Sequence, residues 1–261
     1  MKKPSRLDYA YSVGRVRVLE KKLVQRAVFS EAVEEKDFPR AVKVVFDAGE
    51  FPEEMVNIKD STELDDFLES EEEKLVNLLD EIILEKDILE IFLEEKVPGK
   101  ALEISQRTGY SFIHDYLRHK IDLANLKIFC RLKYSGAGKE KFEKLVLEGG
   151  FLDERILILN FEAAFTDVGE RIQATPYREL WNRGVDSLEE KETFIDLERG
   201  IEDFMMTYLR KAKYIVFGPE PVFAYGLAKR RELSLLRFLG VGKLSEIPDQ
   251  LLKQRMSATY V

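Results

Sequence analysis

Apolar residues recur along this chain with a helical period and almost never with a period of two. Tyr9, Val13, Val16, Leu19 and Leu23 share one face of a helix that Asp8 caps and that runs past Leu23. Arg15, Arg17, Glu20, Lys21 and Lys22 fill its other faces. A short helix is expected over Phe38–Ala48, closed by Gly49, and Phe51-Pro52 opens an extended connector. Ser61 or Thr62 starts the next helix, with Glu63, Asp65 and Asp66 in an acidic first turn. Leu64, Phe67 and Leu68 are apolar, Leu75, Leu78, Leu79, Ile82 and Ile83 continue that face, and Ile88 to Phe92 carry it on to a break at Pro98-Gly99.

Lys100 to Tyr134 reads as one or two long helices interrupted near Gly109, ended by Ser135-Gly-Ala-Gly138. A helix from about Lys139 to Leu147 follows, and Asp153 caps another that includes Ile156, Leu159, Phe161 and Phe165. Leu152 to Leu159 is the one apolar run that fits a strand as well as a helix. Pro176 and Gly184 bracket a segment holding Tyr177, Leu180 and Trp181, and Ser187 or Leu188 opens a long helix reaching Leu209. Pro219 and Pro221 mark the start of a helix that is half apolar stripe and half charge, and Gly240 and Gly242 are expected to stop it. A last helix follows Ile247-Pro248. The pattern predicts an all-α protein.

Two pieces of this pattern repeat. Tyr9-Ala-Tyr-Ser-Val-Gly-Arg-Val-Arg-Val-Leu-Glu20 aligns with Phe223-Ala-Tyr-Gly-Leu-Ala-Lys-Arg-Arg-Glu-Leu-Ser234, and Asp122-Leu-Ala-Asn-Leu-Lys-Ile128 aligns with Glu232-Leu-Ser-Leu-Leu-Arg-Phe238. Amphipathic helices match by chance over such lengths; the alternative is a set of duplicated helical units. The unit boundaries read from the breaks are 1–97, 98–185 and 186–261.

Composition narrows the function. The 261 residues are 45% hydrophobic, enough for a large core. Net charge is −8, from 41 Lys+Arg against 49 Asp+Glu, which disfavours wrapping nucleic acid. No signal peptide and no membrane span are expected, and the single Cys130 points to a reducing compartment and rules out an intramolecular disulfide.

The chemistry inventory is close to empty. His114 and His119, five residues apart, point different ways on a helix and cannot share a metal; His119, between Arg118 and Lys120, reads as solvent-facing. Cys130, in the run Ile128-Phe-Cys130, reads as a buried structural thiol. Gly136-Ala-Gly-Lys139 and Gly240-Val-Gly-Lys243 lack the remaining elements of a phosphate loop and read as helix ends with a lysine nearby. The acidic run Glu69-Ser-Glu-Glu-Glu73 reads as a solvated helix face. No catalytic residue, cofactor site or metal site is expected. The short clusters Lys21-Lys22 and Lys229-Arg-Arg231 suit docking to an acidic protein surface.

Gly218-Pro-Glu-Pro-Val-Phe-Ala-Tyr-Gly-Leu-Ala-Lys229, then Glu232-Leu, Leu236-Arg237, Gly242-Lys243 and Arg255-Met-Ser-Ala-Thr-Tyr-Val261, resemble the C-terminus of the C subunit of V-type (A-type) ATPases, whose eukaryotic counterpart is the d subunit. Tyr9 to Glu20 resembles that family's first helix, and Ile121-Asp-Leu-Ala-Asn-Leu-Lys127 resembles its recurring Ile-Asp-Leu-x-Asn-Ile-Lys element. Three features depart from the family pattern. No further Tyr-Asp-Phe-His-Asn-Leu-Lys type copy is present, Arg230 stands where the family commonly has an acid, and Leu235 takes the position of Asn125.

The resemblance implies similar helical bundles arranged as a funnel about a pseudo-threefold axis, with one unit a candidate for trimming. It implies a non-catalytic central-stalk component that couples the D and F shaft subunits to the membrane proteolipid ring (K/L or c subunits). ATP hydrolysis or synthesis is thereby linked to proton or sodium transport. Location would be cytoplasmic, peripheral on the inner face of the cell membrane, with membrane contact only through the ring and no nucleic acid partner. Arg15, Arg17, Lys229, Arg230, Arg231 and Arg237 are the candidate partner contacts lining the funnel. A helical scaffold or tethering protein, and an all-α enzyme with a buried acidic site, are the competing classes.

Overall fold

A computed structural model describes residues 3–261. Among the described residues the regular structure is helical throughout. Two compact units divide the chain, the first formed by residues up to Phe92 together with Met206–Val261, the second by Leu93–Met205.

The first unit begins with a 3-10 turn, Arg6–Tyr9, that leads into α1 (Ala10–Glu20). Asp8 does not cap forward as expected: its Oδ2 accepts from the Ser5 N–H behind it at 2.7 Å. The helix also stops earlier than expected, at Glu20, and Leu23 lies in the connector to a separate helix, α2 (Arg26–Glu34). The predicted α3 (Phe38–Ala48) forms with Gly49 closing it, and Asp37 accepts from the Arg40 N–H as its cap. Asp60 caps α4 (Ser61–Ile82), accepting from the Thr62 and Glu63 N–H groups. Ile83 is extended there and ends the helix, so α5 (Lys86–Glu94) is a separate element rather than a continuation.

In the second unit Pro98 opens α6 (Pro98–Thr108) instead of breaking a helix, since a first-turn proline has no N–H to satisfy. Gly109 then turns at φ 75°, the left-handed region where a side chain is strained, and α7 (Ser111–Tyr134) follows. The short α8 (Lys139–Glu143) ends before Leu147, and the ambiguous run is helical, as α9 (Glu154–Leu159) capped by Asp153. Phe165 starts the next helix, α10 (Phe165–Arg171). Gly184, Ser187 and Leu188 all lie inside α11 (Arg178–Lys191), so the late helix opens instead at Ile195, in α12 (Ile195–Arg210). Gly184 explains the difference: a Cβ there would stand 2.9 Å from Leu197 Cβ, so the glycine serves close helix packing and not a break. The core of this unit gathers Leu126, Phe129, Phe142, Phe161, Tyr177 and Trp181.

The chain re-enters the first unit through α12 and ends with α13 (Glu220–Leu244) and α14 (Asp249–Arg255). Pro219 and Pro221 sit at the start of α13 as expected. Gly240 and Gly242 do not stop it. A Cβ on Gly240 would lie 2.5 Å from Leu64 Cδ2, and one on Gly242 2.5 Å from Leu252 Cδ2, so both permit close approach of neighbouring helices. The charged half expected of this helix shrinks to a short band, because every residue from Glu220 to Ala228 is buried. A helix apolar on all sides belongs in a core. Accordingly α13 packs against α1, α2, α3 and α4, and Leu233, Leu236 and Leu239 join Phe29, Val33, Val45 and Leu64 in the core.

Candidate partner-binding residues

The basic residues singled out from the sequence lie in the first unit, and most are engaged within it. Arg17 donates to Glu20 at 2.8 Å and to the carbonyls of Ala212 and Ile215 at 2.8 and 2.9 Å. Lys229 bonds Glu232 at 2.5 Å and lies 4.2 Å from the centre of the Phe51 ring. Arg230 bonds Glu72 at 2.5 Å and stacks 3.9 Å over Phe92, whose carbonyl it also meets at 3.1 Å. Arg231 donates to the Ser257 hydroxyl. Arg15 pairs with Glu81 at 2.7 Å, and Arg237 with Asp65 at 2.9 Å; their side chains are 33% and 60% exposed. A guanidinium already holding a carboxylate and a carbonyl has few donors left for a second protein. The exposed pairs of Arg15 and Arg237 exchange readily with water and with other anions.

Buried carboxylates tie this unit together. Glu232 accepts the Val24 N–H at 2.6 Å, fixing the start of the α2 segment. Glu20 accepts from the Tyr260 hydroxyl at 2.9 Å, while Arg210 holds the Thr259 and Tyr260 carbonyls and Thr259 accepts the Arg26 N–H at 3.0 Å. With Arg231 on Ser257, the C-terminal Ser257-Ala-Thr-Tyr260 segment is tied to residues elsewhere in the unit. Burial, with Glu20 beside it, pushes the Tyr260 hydroxyl pKa up. Glu71 is buried, which corrects the reading of Glu69–Glu73 as a wholly solvated face; Lys74 supplies its counter-charge at 2.8 Å.

A cavity of about 160 Å³ lies among Lys22, Glu50, Glu71, Lys74, Tyr225 and Lys229. Its lysines are each matched by a carboxylate, Lys22 by Glu50, Lys74 by Glu71 and Lys229 by Glu232. Charge there is balanced, so the cavity has no net pull on an anion or a cation. Lys243, read as a lysine near a helix end, is instead buried and donates to the Val33 and Glu35 carbonyls at 2.6 Å each. It satisfies the C-terminus of α2, where a cation is favoured.

In the second unit the acid of the repeated element, Asp122, is fully buried. It accepts the Phe151 and Leu152 N–H groups at 2.9 and 3.1 Å and the Tyr177 hydroxyl at 2.7 Å. Burial raises its pKa against the pull of these bonds. Asn125 closes the same loop by bonding both the N–H and the carbonyl of Leu147. His119 is half-buried, 2.7 Å from the Tyr177 hydroxyl and edge-on to Phe204, and is not the solvent-facing residue expected. His114 bonds Ser105 at 2.9 Å, so the two histidines serve different places. Cys130 is 1% exposed, and burial pushes its thiol pKa up.

Among the described residues no group of three or more His, Cys, Asp or Glu side chains is placed to hold a metal, and no helix is long and apolar enough to cross a membrane. The sequence profile of the ATP synthase (C/AC39) subunit family matches residues 45–255. The chain belongs to that family. It is 26% identical over 242 residues to the C subunit of an A-type ATP synthase of Halobacterium salinarum, covering 85% of this chain and 66% of that protein. The C subunit of a V-type sodium ATPase of Enterococcus hirae is 25% identical over 159 residues, covering 60% of this chain and 47% of that protein. The C subunit of an A-type ATP synthase of Haloferax volcanii is 25% identical over 218 residues, covering 81% and 60%. The chain therefore spans less than two thirds of the length of these relatives.

Proposed function

We propose that this chain is a non-catalytic central-stalk component of a rotary V/A-type ATPase, a socket that joins the D and F shaft subunits to the proteolipid ring. The family match over residues 45–255 carries the reading. In it, shaft rotation driven by ATP hydrolysis, or driving its synthesis, is passed to the ring and so to proton or sodium movement. The protein works on the cytoplasmic side of the membrane and touches it through the ring. Three similar helical units, 1–97, 98–185 and 186–261, set about a funnel axis belong to the same proposal.

The mechanical demand of that role fits the packing seen. Torque must pass through the socket without being absorbed in it. Helices that approach so closely that glycine is required, as at Gly226, Gly240 and Gly242, leave little void to compress. Of the six basic candidates, Arg15 and Arg237 are the ones we assign to partner contact, and the other four to holding the first unit together.

The test is bridging. Immobilised proteolipid rings in detergent are exposed to the purified D–F shaft complex with and without this chain. Shaft capture that depends on the chain is the expected result. A chain that binds neither component sinks the proposal.

A further inference from the structure

Three ionisable side chains of the second unit stand in one line of hydrogen bonds. His119 Nδ1 lies 2.7 Å from the Tyr177 hydroxyl oxygen, and that hydroxyl lies 2.7 Å from Asp122 Oδ2. Asp122 and Tyr177 are fully buried and His119 is half-buried, so the line leads from the interior toward solvent. Its inner end holds the loop between α8 and α9. Asp122 Oδ2 also accepts the Phe151 N–H at 2.9 Å, and Oδ1 accepts the Leu152 N–H at 3.1 Å. A side chain on Gly150 would collide with Oδ1, so the loop rests directly on the carboxyl group. Phe151 in turn packs its ring 4.6 Å from the His119 ring, under the Arg118 guanidinium at 3.9 Å.

The donors and acceptors allow two arrangements. A carboxylate is an acceptor only, and it satisfies two backbone N–H groups and the Tyr177 hydroxyl together. The hydroxyl then donates to Asp122, and His119 Nδ1 carries the hydrogen that the hydroxyl oxygen accepts. A protonated Asp122 has to donate its own hydrogen. Backbone N–H groups cannot accept it, whereas the Tyr177 oxygen can. The hydroxyl then turns round and donates to a bare His119 Nδ1. The state of the buried carboxyl thus fixes the tautomer of a histidine two bonds away. Burial, with Asp122 beside it, pushes the Tyr177 hydroxyl pKa up, so Tyr177 passes a proton on without giving up its own.

We infer that His119, Tyr177 and Asp122 form a proton relay, through which the buried carboxyl exchanges its proton with solvent and the 149–152 loop is made sensitive to pH. The transfer balances. The His119 Nδ1–H bond breaks as a new Tyr177 O–H bond forms, and the former Tyr177 O–H bond breaks as an Asp122 O–H bond forms. An imidazolium and a carboxylate become a neutral imidazole, with its hydrogen on Nε2, and a neutral carboxyl. The surrounding charges are Arg118, which opposes proton uptake at Asp122 and at Tyr177, and Asp115 and Lys120 on the same helix, with Lys120 paired to Glu95. Glu148 precedes the loop and Arg178 follows Tyr177, both exposed, and α12 carries half-buried Glu202 and Asp203 just before Phe204, whose ring meets His119. Burial holds the Asp122 pKa above its ordinary value. By linkage the closed loop keeps this proton better than an opened one, is firmest at low pH and loosens as pH rises through that pKa.

Nitrogen NMR of the full chain reads the tautomers directly, with thermal unfolding followed in parallel. At mildly alkaline pH, with the imidazole neutral and Asp122 ionised, His119 should carry its hydrogen on Nδ1, the less common form of a free histidine. Asp122→Asn places a donor at the inner end and should move that hydrogen to Nε2. Tyr177→Phe removes the hydroxyl alone and should do the same, and in that background Asp122→Asn should change the tautomer no further. Protection of the Leu152 amide, corrected for its intrinsic exchange rate, should rise as pH falls through the Asp122 titration. An Nε2–H tautomer in the wild-type chain would overturn the relay without recourse to any variant. So would an Asp122→Asn chain that folds and keeps Nδ1–H. Leu152 protection that does not change with pH would overturn the loop's response.

Discussion

Replacing Lys243 by methionine keeps the length of the side chain and removes its charge and donors. In the folded chain the side chain is 7% exposed, and its ammonium donates to the Val33 and Glu35 carbonyls at 2.6 Å and to Asp249 at 2.7 Å. Those two carbonyls close the C-terminal end of α2. Each buried acceptor left without a donor costs about 1–3 kcal/mol, and the pair with half-exposed Asp249 contributes at most about 1. Two effects oppose the loss: the variant no longer desolvates an ammonium, and burying methionine's apolar end returns roughly 1–2 kcal/mol. Glu35 is only half-buried, so water can reach its carbonyl. The net expectation is destabilisation of about 2–3 kcal/mol, concentrated at α2. Hydrogen exchange of the α2 amides should accelerate roughly 30- to 150-fold, while peptides from Leu93–Met205 stay unchanged. Exchange within a factor of about three of wild type would refute the assignment of Lys243 as the clamp on α2.

Two glycines of the repeated helices should respond in opposite directions: Gly240→Ala, with Leu64 Cδ2 at 2.5 Å, loses about 1–2 kcal/mol in a urea titration, whereas Gly14→Ala gains about 0.5–1. Arg230→Ala removes the bond to Glu72 and the stacking on Phe92 and should cost about 1–3 kcal/mol, read as a lower urea midpoint; an unchanged midpoint would mean the guanidinium is free for a partner. The Asp122 carboxyl, followed by NMR, should titrate above its ordinary 3.8. Its contribution to stability is then full below that value and falls as pH climbs through the raised folded pKa; titration below 3.8 would show that the three donated bonds outweigh burial. Cys130 should resist alkylation in the native protein and react at the rate of unfolding, and rapid labelling without denaturant would contradict its burial.

Helix α3 is legible to its last residue because its stop signal, Gly49, agrees with its apolar period, while its cap, Asp37, is seen only in the structure. The same letter misleads at Gly184, Gly240 and Gly242, where glycine marks a neighbour's approach and not a helix end; only the position of Leu197, Leu64 and Leu252 tells the two apart. His119 looks solvent-facing because Arg118 and Lys120 adjoin it in sequence, while on a helix each residue points about 100° from the next. The candidate contacts stand out by charge, and charge alone does not reveal that Arg230 meets Glu72, 158 residues away.

The division of the chain places α13 in a unit whose other core helices are made long before it. Phe29, Val33, Val45 and Leu64 have no Leu236 or Leu239 to close on until the ribosome has finished the intervening segment. At ordinary elongation rates that interval is on the order of ten seconds, far longer than local helix formation. During it the second unit, contiguous in sequence, can complete its own core. The nascent N-terminal segment therefore waits with its apolar face open, and a holding chaperone has a defined target there. Synthesis in that order is expected to make folding run from the middle of the chain outward.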